Sequence, residues 1–473
     1  MKVFLLAGEA SGDSIGSKLI KALREQTDEK LEFCGIGGPL MEEAGMEVLL
    51  PMSQLSVMGF FEILPRLPSL YKIYKGTIEE IESRKPDIIV TIDFQDFNLL
   101  IGRAIKKRGK IKPKIIHCVA PTVWAWRPGR AKRIAQFLDG LVCLFPFEPQ
   151  YFEKHGLKTV FCGHPLIESN IDAGDGNIFR AAADIPQDAT VVGLFFGSRE
   201  REFEMISETM KETVVFMREG GIENIHVVVP TLPHLEYDIY NILQGFDFPT
   251  YVVTDPENKW DAVAACDVAL AVSGTIALEL AYKGVPHVIA YKMHWLNWEI
   301  GKRIIKIRHA HLANIMLGKT VVPEFLQKEC KAEDISEEMI KILREPEAAQ
   351  SQGEAFAVIR DLLVNDDDIS SSQEAAQFIL DIAHGKAVRS GIPKRPVPEV
   401  KGWSRGEALK PAAAPSKPDL PQGTTSASQS AHTDAAPGQY KVAEAVRSAT
   451  KVLQSFLSIA KSILPSGRGR KER

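Results

Sequence analysis

Short apolar runs alternate with helical patterns of apolar residues along the first third of the chain. The clearest runs are residues 3–7, 88–92, 115–119 and 141–144. A second series begins after residue 188, and its clearest runs are residues 190–196, 226–229, 250–253 and 268–272. Continuous apolar strands that alternate with helices are typical of parallel sheets covered on both faces. The pattern therefore predicts two α/β domains, each built on a parallel sheet.

The predicted domains are residues 1–168 and 189–385, joined by a stretch rich in Asp, Gly and Asn. Helical periodicity between residues 336 and 384 predicts helices that either close the second domain or pack back on the first. Residues 388–439 are rich in Pro, Ala and Ser, which predicts a disordered linker. Residues 440–473 combine an apolar helical face with eight Lys or Arg and two Glu. This pattern predicts a basic amphipathic helix and tail that docks on protein or lies on a membrane surface.

The composition narrows the class of protein. Hydrophobic residues make up 45% of the chain and charged residues 25%, which suits a globular protein with sizeable cores. With 57 Lys and Arg against 61 Asp and Glu, the net charge of -4 lacks the basic excess of a general nucleic-acid binder. The six cysteines are widely spaced without a CxxC pair, which indicates free thiols in a reducing cytoplasm rather than a zinc site. Because the sequence has no apolar run approaching the roughly 18 residues that span a bilayer, membrane contact is expected from the surface only.

Two loops in the second half are candidate anion sites. The strand at 268–272 runs into Ser273-Gly274-Thr275, and the helix that follows carries Glu279. Backbone N–H groups at a helix N-terminus bind anions, glycine admits a diphosphate closely, and Glu279 could accept both hydroxyls of a ribose. The alternative is a capping Ser or Thr with a solvated Glu. The strand at 190–196 ends in Gly197-Ser198-Arg199, whose guanidinium is either a diphosphate ligand or a surface charge.

The first half offers two loops of its own. Residues 8–13, which include Glu9, Ser11 and Gly12, resemble a phosphate loop but lack the GxGxxG and GxxxxGK[ST] spacings, as does the cluster 35–38, which is predicted to be a turn. The strand at 88–92 delivers Asp93, Asp96 and Asn98 to the carboxyl edge of the sheet, where a carboxylate is placed for catalysis. Asp96 or Asn98 could instead cap a helix. That leaves Asp93 the better candidate for a base, with the choice between the two aspartates open.

An apolar segment with basic neighbours lies between these two loops. Its candidate membrane or acyl-chain contacts are Val57, Met58, Phe60, Phe61 and Leu64, and Arg66, Lys72 and Lys75 follow closely. This combination suits an interfacial helix or an acyl-chain groove, whereas the alternative is an ordinary amphipathic core helix.

Taken together, these stretches resemble the lipid-A-disaccharide synthase family, inverting glycosyltransferases of lipid A assembly in Gram-negative bacteria. The resemblance covers about residues 1 to 385 and is carried by residues 8–13, 57–59, 92–98, 120–127, 163–165, 197–199, 273–275, 312–314 and 323–327. Two departures concern loop shape: Phe196 stands where the family commonly has proline, and Phe94-Gln95 replace a small residue and proline.

The resemblance implies two Rossmann-like domains facing a central cleft, the glycosyltransferase B architecture, and a reaction that needs neither metal nor cofactor. UDP-2,3-diacylglucosamine would react with 2,3-diacylglucosamine 1-phosphate to give a β(1→6) disaccharide 1-phosphate and UDP, with inversion. Asp93 falls on the family's proposed base and Arg199 on its essential arginine. Positions on the nucleotide side are Ser273, Gly274, Thr275, Glu279, Asn314 and Gln327. The other predicted substrate contacts are Glu9, Ser11, Gly12, Asp96, Asn98, Gly197 and Ser198.

Three other functions remain as alternatives. A peptidoglycan-precursor transferase would share the cleft, although the motifs at 93–98 and 124–127 favour the lipid A interpretation. A UDP-sugar epimerase would not need the apolar segment, and a non-catalytic lipid-binding scaffold would not need Asp93 and Arg199. The expected location is the cytoplasmic face of the inner membrane, on its phospholipid surface. No nucleic-acid partner is expected, and a homo-oligomer is left open.

Overall fold

The computed structural model describes residues 1–55, 60–295, 298–299, 301, 305, 307–367 and 369–397, with the side chains of 60–67, 200 and 201 excepted. These residues belong to one unit, Met1–Ala412. Of the predicted linker, only residues 388–397 are described, and the predicted terminal helix at 440–473 lies outside the described residues.

The first half forms a parallel sheet of seven strands in the order β3-β2-β1-β4-β5-β6-β7. The strands are β1 (Lys2–Ala7), β2 (Glu32–Gly37), β3 (Glu47–Pro51), β4 (Ile88–Ile92), β5 (Lys114–Cys118), β6 (Gly140–Cys143) and β7 (Thr159–Phe161). Strand β1 pairs with β2 on one side and with β4 on the other. The chain thus changes direction across the sheet between β1 and β4, which leaves a crevice at their carboxyl ends.

The second half forms a parallel sheet of six strands in the order β10-β9-β8-β11-β12-β13. The strands are β8 (Thr190–Phe195), β9 (Ile225–Pro230), β10 (Thr250–Val253), β11 (Val268–Ala271), β12 (His287–Tyr291) and β13 (Glu324–Leu326). The equivalent crevice lies between β8 and β11. The eight apolar runs singled out in the sequence all form strands, and the prediction of two parallel Rossmann-like sheets is confirmed.

Helices cover both faces of each sheet. Their bounds are α1 (Ala10–Glu25), α2 (Pro39–Glu43), α3 (Phe60–Arg84), α4 (Gln95–Arg108), α5 (Arg130–Ile134), α6 (Pro149–Glu153), α7 (Gly176–Ala182), α8 (Glu200–Glu219), α9 (Glu236–Ile242), α10 (Lys259–Ala264), α11 (Thr275–Lys283), α12 (Leu312–Leu317), α13 (Ala332–Arg344), α14 (Pro346–Leu363) and α15 (Ser371–Ala383). Alternate residues of β1 point into different cores: Val3 and Leu5 pack with α1, whereas Phe4 and Leu6 pack with α3 and α4.

The last helices divide between the two sheets. Helix α13 packs on α8, over the second sheet. Helix α15 packs on α1, and Phe378, Ile379 and Ile382 are buried in the same core as Val3 and Leu5 of β1. An alanine-sized side chain at Gly140 of β6 would come within 2.4 Å of Ile382 Cδ1, so glycine permits the close approach of this helix. Helix α13 therefore covers the second sheet, whereas α15 covers the first.

The prediction of a turn at residues 35–38 is wrong, because Gly35 and Gly37 belong to β2. The register between β2 and β3 shifts after Gly35. A Cβ atom at Gly35 would lie 1.9 Å from the carbonyl oxygen of Leu5 in the neighbouring strand. The glycines here allow an irregular strand to approach its neighbour closely, a role that spacing alone does not separate from a turn.

All six cysteines lie in described residues and are free thiols, with Cys34 half-buried and the others buried. The described part of the chain contains no helix that is both long and apolar enough to cross a membrane.

Candidate active site

The loop after β4 holds Asp93 in a constrained backbone. Asp93 and Phe94 are both in the left-handed region, with φ of 48° and 41°. The buried side chain of Asn98 donates from Nδ2 to the carbonyl oxygens of Asp93 at 2.9 Å and Ile92 at 3.1 Å. The backbone N–H of Asp93 donates to the Cys118 carbonyl of β5 at 3.0 Å. Two consecutive non-glycine residues in this region cost about 1–3 kcal/mol each, so Asn98 and β5 fix a loop that would otherwise relax.

The loop after β1 meets this constrained loop. Ser11 Oγ lies 3.4 Å from Asp93 Oδ2, at the long limit of a hydrogen bond. A Cβ atom at Gly8 would lie 2.5 Å from the Phe94 ring, so the two loops are in contact. Burial raises the pKa of the Glu9 carboxyl above its ordinary value, the charge of Asp93 raises it further, and the charge of Arg199 lowers it. Glu9 is therefore within electrostatic range of charged side chains from both halves of the chain.

Arg199 follows β8 and occupies the N-cap position of α8. Its Nη1 donates to Glu202 Oε1 at 2.8 Å, and the Tyr291 hydroxyl donates to the same carboxylate oxygen at 3.3 Å. The Arg199 side chain is 61% exposed whereas that of Glu202 is 13% exposed. Gly197 has φ of 96°, and a Cβ atom there would lie 2.8 Å from the Glu202 carboxylate. Glu202 thus anchors the arginine on one side, and no other described side chain pairs with its remaining donors, which could bind an anion.

The loop after β11 presents backbone at the start of α11. Gly274 has φ of 155° and ψ of -157°, a conformation essentially restricted to glycine, and open space lies where its Cβ would be. Ser273 does not cap the helix, because its Oγ donates to the Ala310 carbonyl at 2.8 Å. Thr275 is exposed as the first residue of the helix. One turn further, Glu279 Oε2 pairs with Lys259 Nζ at 2.6 Å rather than standing free in solvent.

Asn314, a predicted nucleotide contact, has all its polar atoms bonded inside the protein. Its Nδ2 donates to Val322 O at 2.7 Å and to Glu324 Oε1 at 2.8 Å. Its Oδ1 accepts from the N–H groups of Val321 at 2.8 Å and Val322 at 2.9 Å. The other carboxylate oxygen of Glu324 accepts from the Ala310 N–H at 2.8 Å. The carbonyl of the same residue, Ala310, accepts the hydrogen bond of Ser273 in the loop after β11. Asn314 therefore supports that loop from behind.

Gln327, like Asn314, has its side-chain amide bonded inside the protein. Its φ of 57° lies in the left-handed region. In the orientation that satisfies both ends of its side-chain amide, the nitrogen donates to Met293 O at 3.1 Å and the oxygen accepts from Met293 N at 2.8 Å. The amide thus ties the segment after β12 to the end of β13.

A buried histidine pair lies behind the same segment. His287 Nδ1 lies 2.7 Å from the Val285 carbonyl and therefore carries the proton. His311 Nδ1 accepts from the Ala313 N–H at 2.9 Å, so His311 Nε2 donates to His287 Nε2 at 2.8 Å. Burial lowers the pKa of His287 to about 4, which keeps this chain of donors and acceptors neutral.

The other predicted contacts of the first half have distinct surroundings. Asp96 is 89% exposed and pairs with Arg130, Nη2 to Oδ1 at 3.3 Å. It lies in the first turn of α4, whose N-cap residue is Phe94, so neither Asp96 nor Asn98 is the helix cap. Gly12 is buried where α1 begins. Ser198 is exposed beside the arginine of the second half.

Of the predicted membrane or acyl-chain contacts, Val57 and Met58 lie outside the described residues. Phe60, Phe61 and Leu64 begin α3 with undescribed side chains.

Sequence reasoning missed a buried carboxyl beneath the cleft. Glu148 accepts from Trp124 Nε1 at 3.2 Å and from the N–H groups of Leu144 and Phe145 at 3.1 Å each. Burial raises the pKa of Glu148 to about 7. Trp124 lies in a core shared with α11 and α14 of the second half. Trp124 belongs to one of the motifs that carry the family resemblance. Its partner Glu148 lies 24 residues later, and the sequence around Glu148 does not indicate that it is buried or bonded to Trp124.

The family model and the sequence relatives that match this chain identify one family, and solved structures match its fold. The family model described as lipid-A-disaccharide synthetase matches residues 3–379. The lipid-A-disaccharide synthase of Rhodospirillum centenum is 40% identical over 406 residues, which cover 86% of this chain and 98% of that protein. Among solved structures, a putative UDP-N-acetylglucosamine 2-epimerase from Listeria monocytogenes has a TM-score of 0.56 at 12% identity, covering 82% of this chain and 98% of that one. The glycotransferase of kitacinnamycin has a TM-score of 0.52 at 15% identity, covering 80% and 98%. At these identities the two structures are evidence for the fold alone.

Proposed function

Because this chain belongs to the lipid-A-disaccharide synthetase family of glycosyltransferases, we propose that its cleft transfers a diacylglucosamine unit from UDP to the 6-hydroxyl of 2,3-diacylglucosamine 1-phosphate. The observation that carries this proposal is the position of Glu9, which lies close enough to Asp93 of the first half and to Arg199 of the second for both charges to act on the pKa of its carboxyl. A carboxylate on one wall and a guanidinium on the other suit a reaction that removes a proton at one centre and develops negative charge at another.

In the proposed reaction, Asp93 accepts the proton of the acceptor 6-hydroxyl as that oxygen attacks the anomeric carbon. The bond between this carbon and the diphosphate oxygen breaks, and UDP leaves with the bonding electrons on the opposite face. Attack opposite the leaving group inverts the configuration. Arg199 and the exposed start of α11 would stabilise the diphosphate. The ordered Asp93 loop supports this role, because a base must be held close to the hydroxyl it deprotonates.

The donor side of the proposal assigns the loops of the second sheet to UDP. Ser198, Gly274 and Thr275 are exposed at the crevice, where their backbone groups could bind phosphate oxygens. Glu279 would bind the ribose after sharing or exchanging its contact with Lys259. Asn314 and Gln327 would act by holding these loops in place.

We also propose peripheral contact with phospholipid on the cytoplasmic face of the inner membrane, with Val57 to Leu64 entering the interface. The described part of α3 supports this contact. Tyr71 is 39% exposed, Lys72 and Lys75 are exposed, and Lys75 Nζ lies 5.5 Å from the centroid of the Tyr71 ring. Aromatic and basic side chains on one surface suit the boundary of an anionic membrane.

Vesicle sedimentation tests the membrane proposal. Lys72→Gln and Lys75→Gln should each weaken binding to anionic vesicles by about fivefold at low salt, since one basic residue contributes roughly 1 kcal/mol. The exposed Lys30, removed from α3 in the chain, provides the control variant Lys30→Gln. Equal binding by all three variants would contradict a membrane role for this surface.

The reaction itself is tested with purified protein, the two diacyl sugars in detergent, and EDTA. Mass spectrometry should detect the disaccharide 1-phosphate, and liquid chromatography should detect an equal amount of UDP. A strict requirement for a divalent ion, or UDP release without disaccharide, would contradict the proposed reaction.

A further inference from the structure

A cationic cluster lies beside the loop that carries Asp93. The loop after β5 brings Arg127 and Arg130 to the ring of Trp126, with guanidinium carbons 4.4 Å and 6.0 Å from the ring centroid. Arg130 also reaches Asp96, in the first turn of α4, at 3.3 Å. The β5 loop therefore borders the β4 loop on the side away from β1. We call Trp126, Arg127 and Arg130 the β5-loop cluster.

The charges of the β5-loop cluster are not balanced within the described residues. No described carboxylate pairs with Arg127, which is exposed and has φ of 51°. The ion pair that Arg130 forms among the described residues is with Asp96; the Arg130 side chain is 15% exposed, but that of Asp96 is 89% exposed, so solvent weakens the pair. Replacing Asp96 by a more highly charged anion as the partner of Arg130 would therefore cost little free energy. Stacking on Trp126 holds both guanidinium groups in place before any ligand arrives.

The proposed acceptor carries such an anion close to its reacting hydroxyl. In a glucosamine ring, C1 and C5 are both bonded to the ring oxygen, so a phosphate on O1 and the hydroxyl on C6 lie at the same edge of the ring. A sugar whose 6-hydroxyl contacts Asp93 therefore places its phosphate within one sugar width of that residue. The β5-loop cluster is a neighbouring group with unbalanced positive charge, and guanidinium groups bind phosphate with two parallel hydrogen bonds.

We propose that Arg127 and Arg130 form the subsite for the phosphate monoester of the acceptor. The inference rests on the proposed function for the identity of the acceptor and adds the residues that select it. Phosphate bound there would turn the 6-hydroxyl toward Asp93 and would discriminate against sugars that lack the 1-phosphate. Asp96 would release Arg130 as the acceptor binds and turn toward solvent.

The test compares two acceptors, 2,3-diacylglucosamine 1-phosphate and the same diacyl sugar without its phosphate, both in detergent micelles. Arg127→Gln and Arg130→Gln should each lower kcat/KM for the phosphorylated acceptor by about ten- to a hundredfold, the range expected for a charge-assisted contact. Neither variant should change kcat/KM for the unphosphorylated sugar or the KM for the UDP-sugar. Arg130→Lys should recover part of the loss.

Arg133→Gln is the matched control, because Arg133 lies in the same short helix as Arg130, is exposed, and carries the same charge. It should behave as the unaltered protein with both acceptors. A proportional loss on both acceptors, or no loss in either arginine variant, would overturn the subsite. Thermal unfolding of each variant identifies a loss that comes from misfolding, and Arg127→Gln, at an exposed position, then decides the question.

Calorimetric titration with 2,3-diacylglucosamine 1-phosphate in the same micelles measures binding without turnover. Weaker binding by the two arginine variants than by Arg133→Gln supports the subsite, even if no disaccharide is formed. A failure to form disaccharide would by itself contradict only the proposed reaction. Equal binding by all variants overturns the subsite even where the unaltered protein is active.

Discussion

The crevices of the two sheets share a strand order but present opposite chemistry. Between β1 and β4, the loops carry the carboxylates of Glu9 and Asp93. Between β8 and β11, they carry Arg199 and the exposed backbone around Gly274. The backbones differ as well, because the first crevice uses non-glycine residues held by a buried asparagine whereas the second uses glycines.

This difference follows from what each loop has to hold. A carboxylate needs a side chain, so the loop after β4 adopts a left-handed backbone at Asp93 and requires support from Asn98. A diphosphate is bound well by backbone N–H groups, which glycine exposes most fully. The same position in a repeated fold can therefore serve as a base on one side and an anion site on the other.

The largest expected effect concerns the first crevice. Asp93→Asn keeps the volume of the side chain but cannot accept the proton, so turnover should fall by about 10²- to 10⁴-fold. UDP affinity, measured by calorimetry, should change less than twofold. Asp96→Asn is the matched comparison and should lose far less activity, because Asp96 is exposed and pairs with a neighbouring arginine. The reverse order would make Asp96 the base.

The next effect concerns the second crevice. Arg199→Ala should weaken UDP affinity by about ten- to a hundredfold and also lower turnover, because the diphosphate is charged before and after the transition state. Lys211→Ala, a change of equal charge on the same helix α8, should leave UDP affinity unchanged. Unaltered UDP affinity in Arg199→Ala would place this side chain away from the diphosphate.

A glycine pair on one helix tests the role of exposed backbone. Gly274→Ala at the start of α11 and Gly284→Ala at its end both place alanine at positive φ where no atom lies nearby. Each should lower the free energy of unfolding by about 1–3 kcal/mol. Gly274→Ala alone should also weaken UDP binding, by roughly tenfold for one displaced hydrogen bond to a charged group. Equal UDP affinity in the two variants would contradict the anion role of this loop.

The smallest effect is on stability and concerns the buried carboxyl beneath the cleft. The pKa of Glu148, about 7, lies above the ordinary value of 4.5, so the folded state binds the proton more tightly than the unfolded state. The resulting stabilisation is complete below pH 4.5 and is lost as the pH rises through 7, by roughly 1 kcal/mol between pH 6 and pH 8. Urea unfolding at these two pH values should show that this loss disappears in Glu148→Gln. It should persist in Glu204→Gln, which removes an exposed carboxyl.

The sequence predicted the strands that are buried on both faces and missed those with weaker patterns. Residues 88–92 are apolar except for Thr91, and this pattern predicts the strand correctly, whereas β2 contains Gly35 and its pattern suggests a turn. Strand β13 has only three half-buried residues, too few for a periodic signal. Local pattern reports burial and propensity, but the bulge of β2 depends on the position of a neighbouring strand.

The residues of the candidate site also differ in how well the sequence predicts them. Asp93 and Arg199 lie in loops that follow strands closely, so both could be placed at the sheet edge from sequence. The supporting contacts of Asn98 and Asn314 depend on carbonyl and N–H groups brought together by the fold, so sequence indicated these positions as contacts without indicating which atoms they bind. Glu148 had no indication at all, because its partners come from three separate backbone and side-chain positions.

The packing of α15 against the first sheet has a consequence for synthesis of the chain. All seven strands of that sheet precede residue 162, yet part of its core is Phe378, Ile379 and Ile382. A nascent chain that has just completed β7 therefore exposes apolar surface on β1 and β6 until more than two hundred further residues have left the ribosome. The half of the protein that is made first is the last to bury its core, and a ribosome that stalls before α15 would release a chain with a long apolar surface for chaperones to cover.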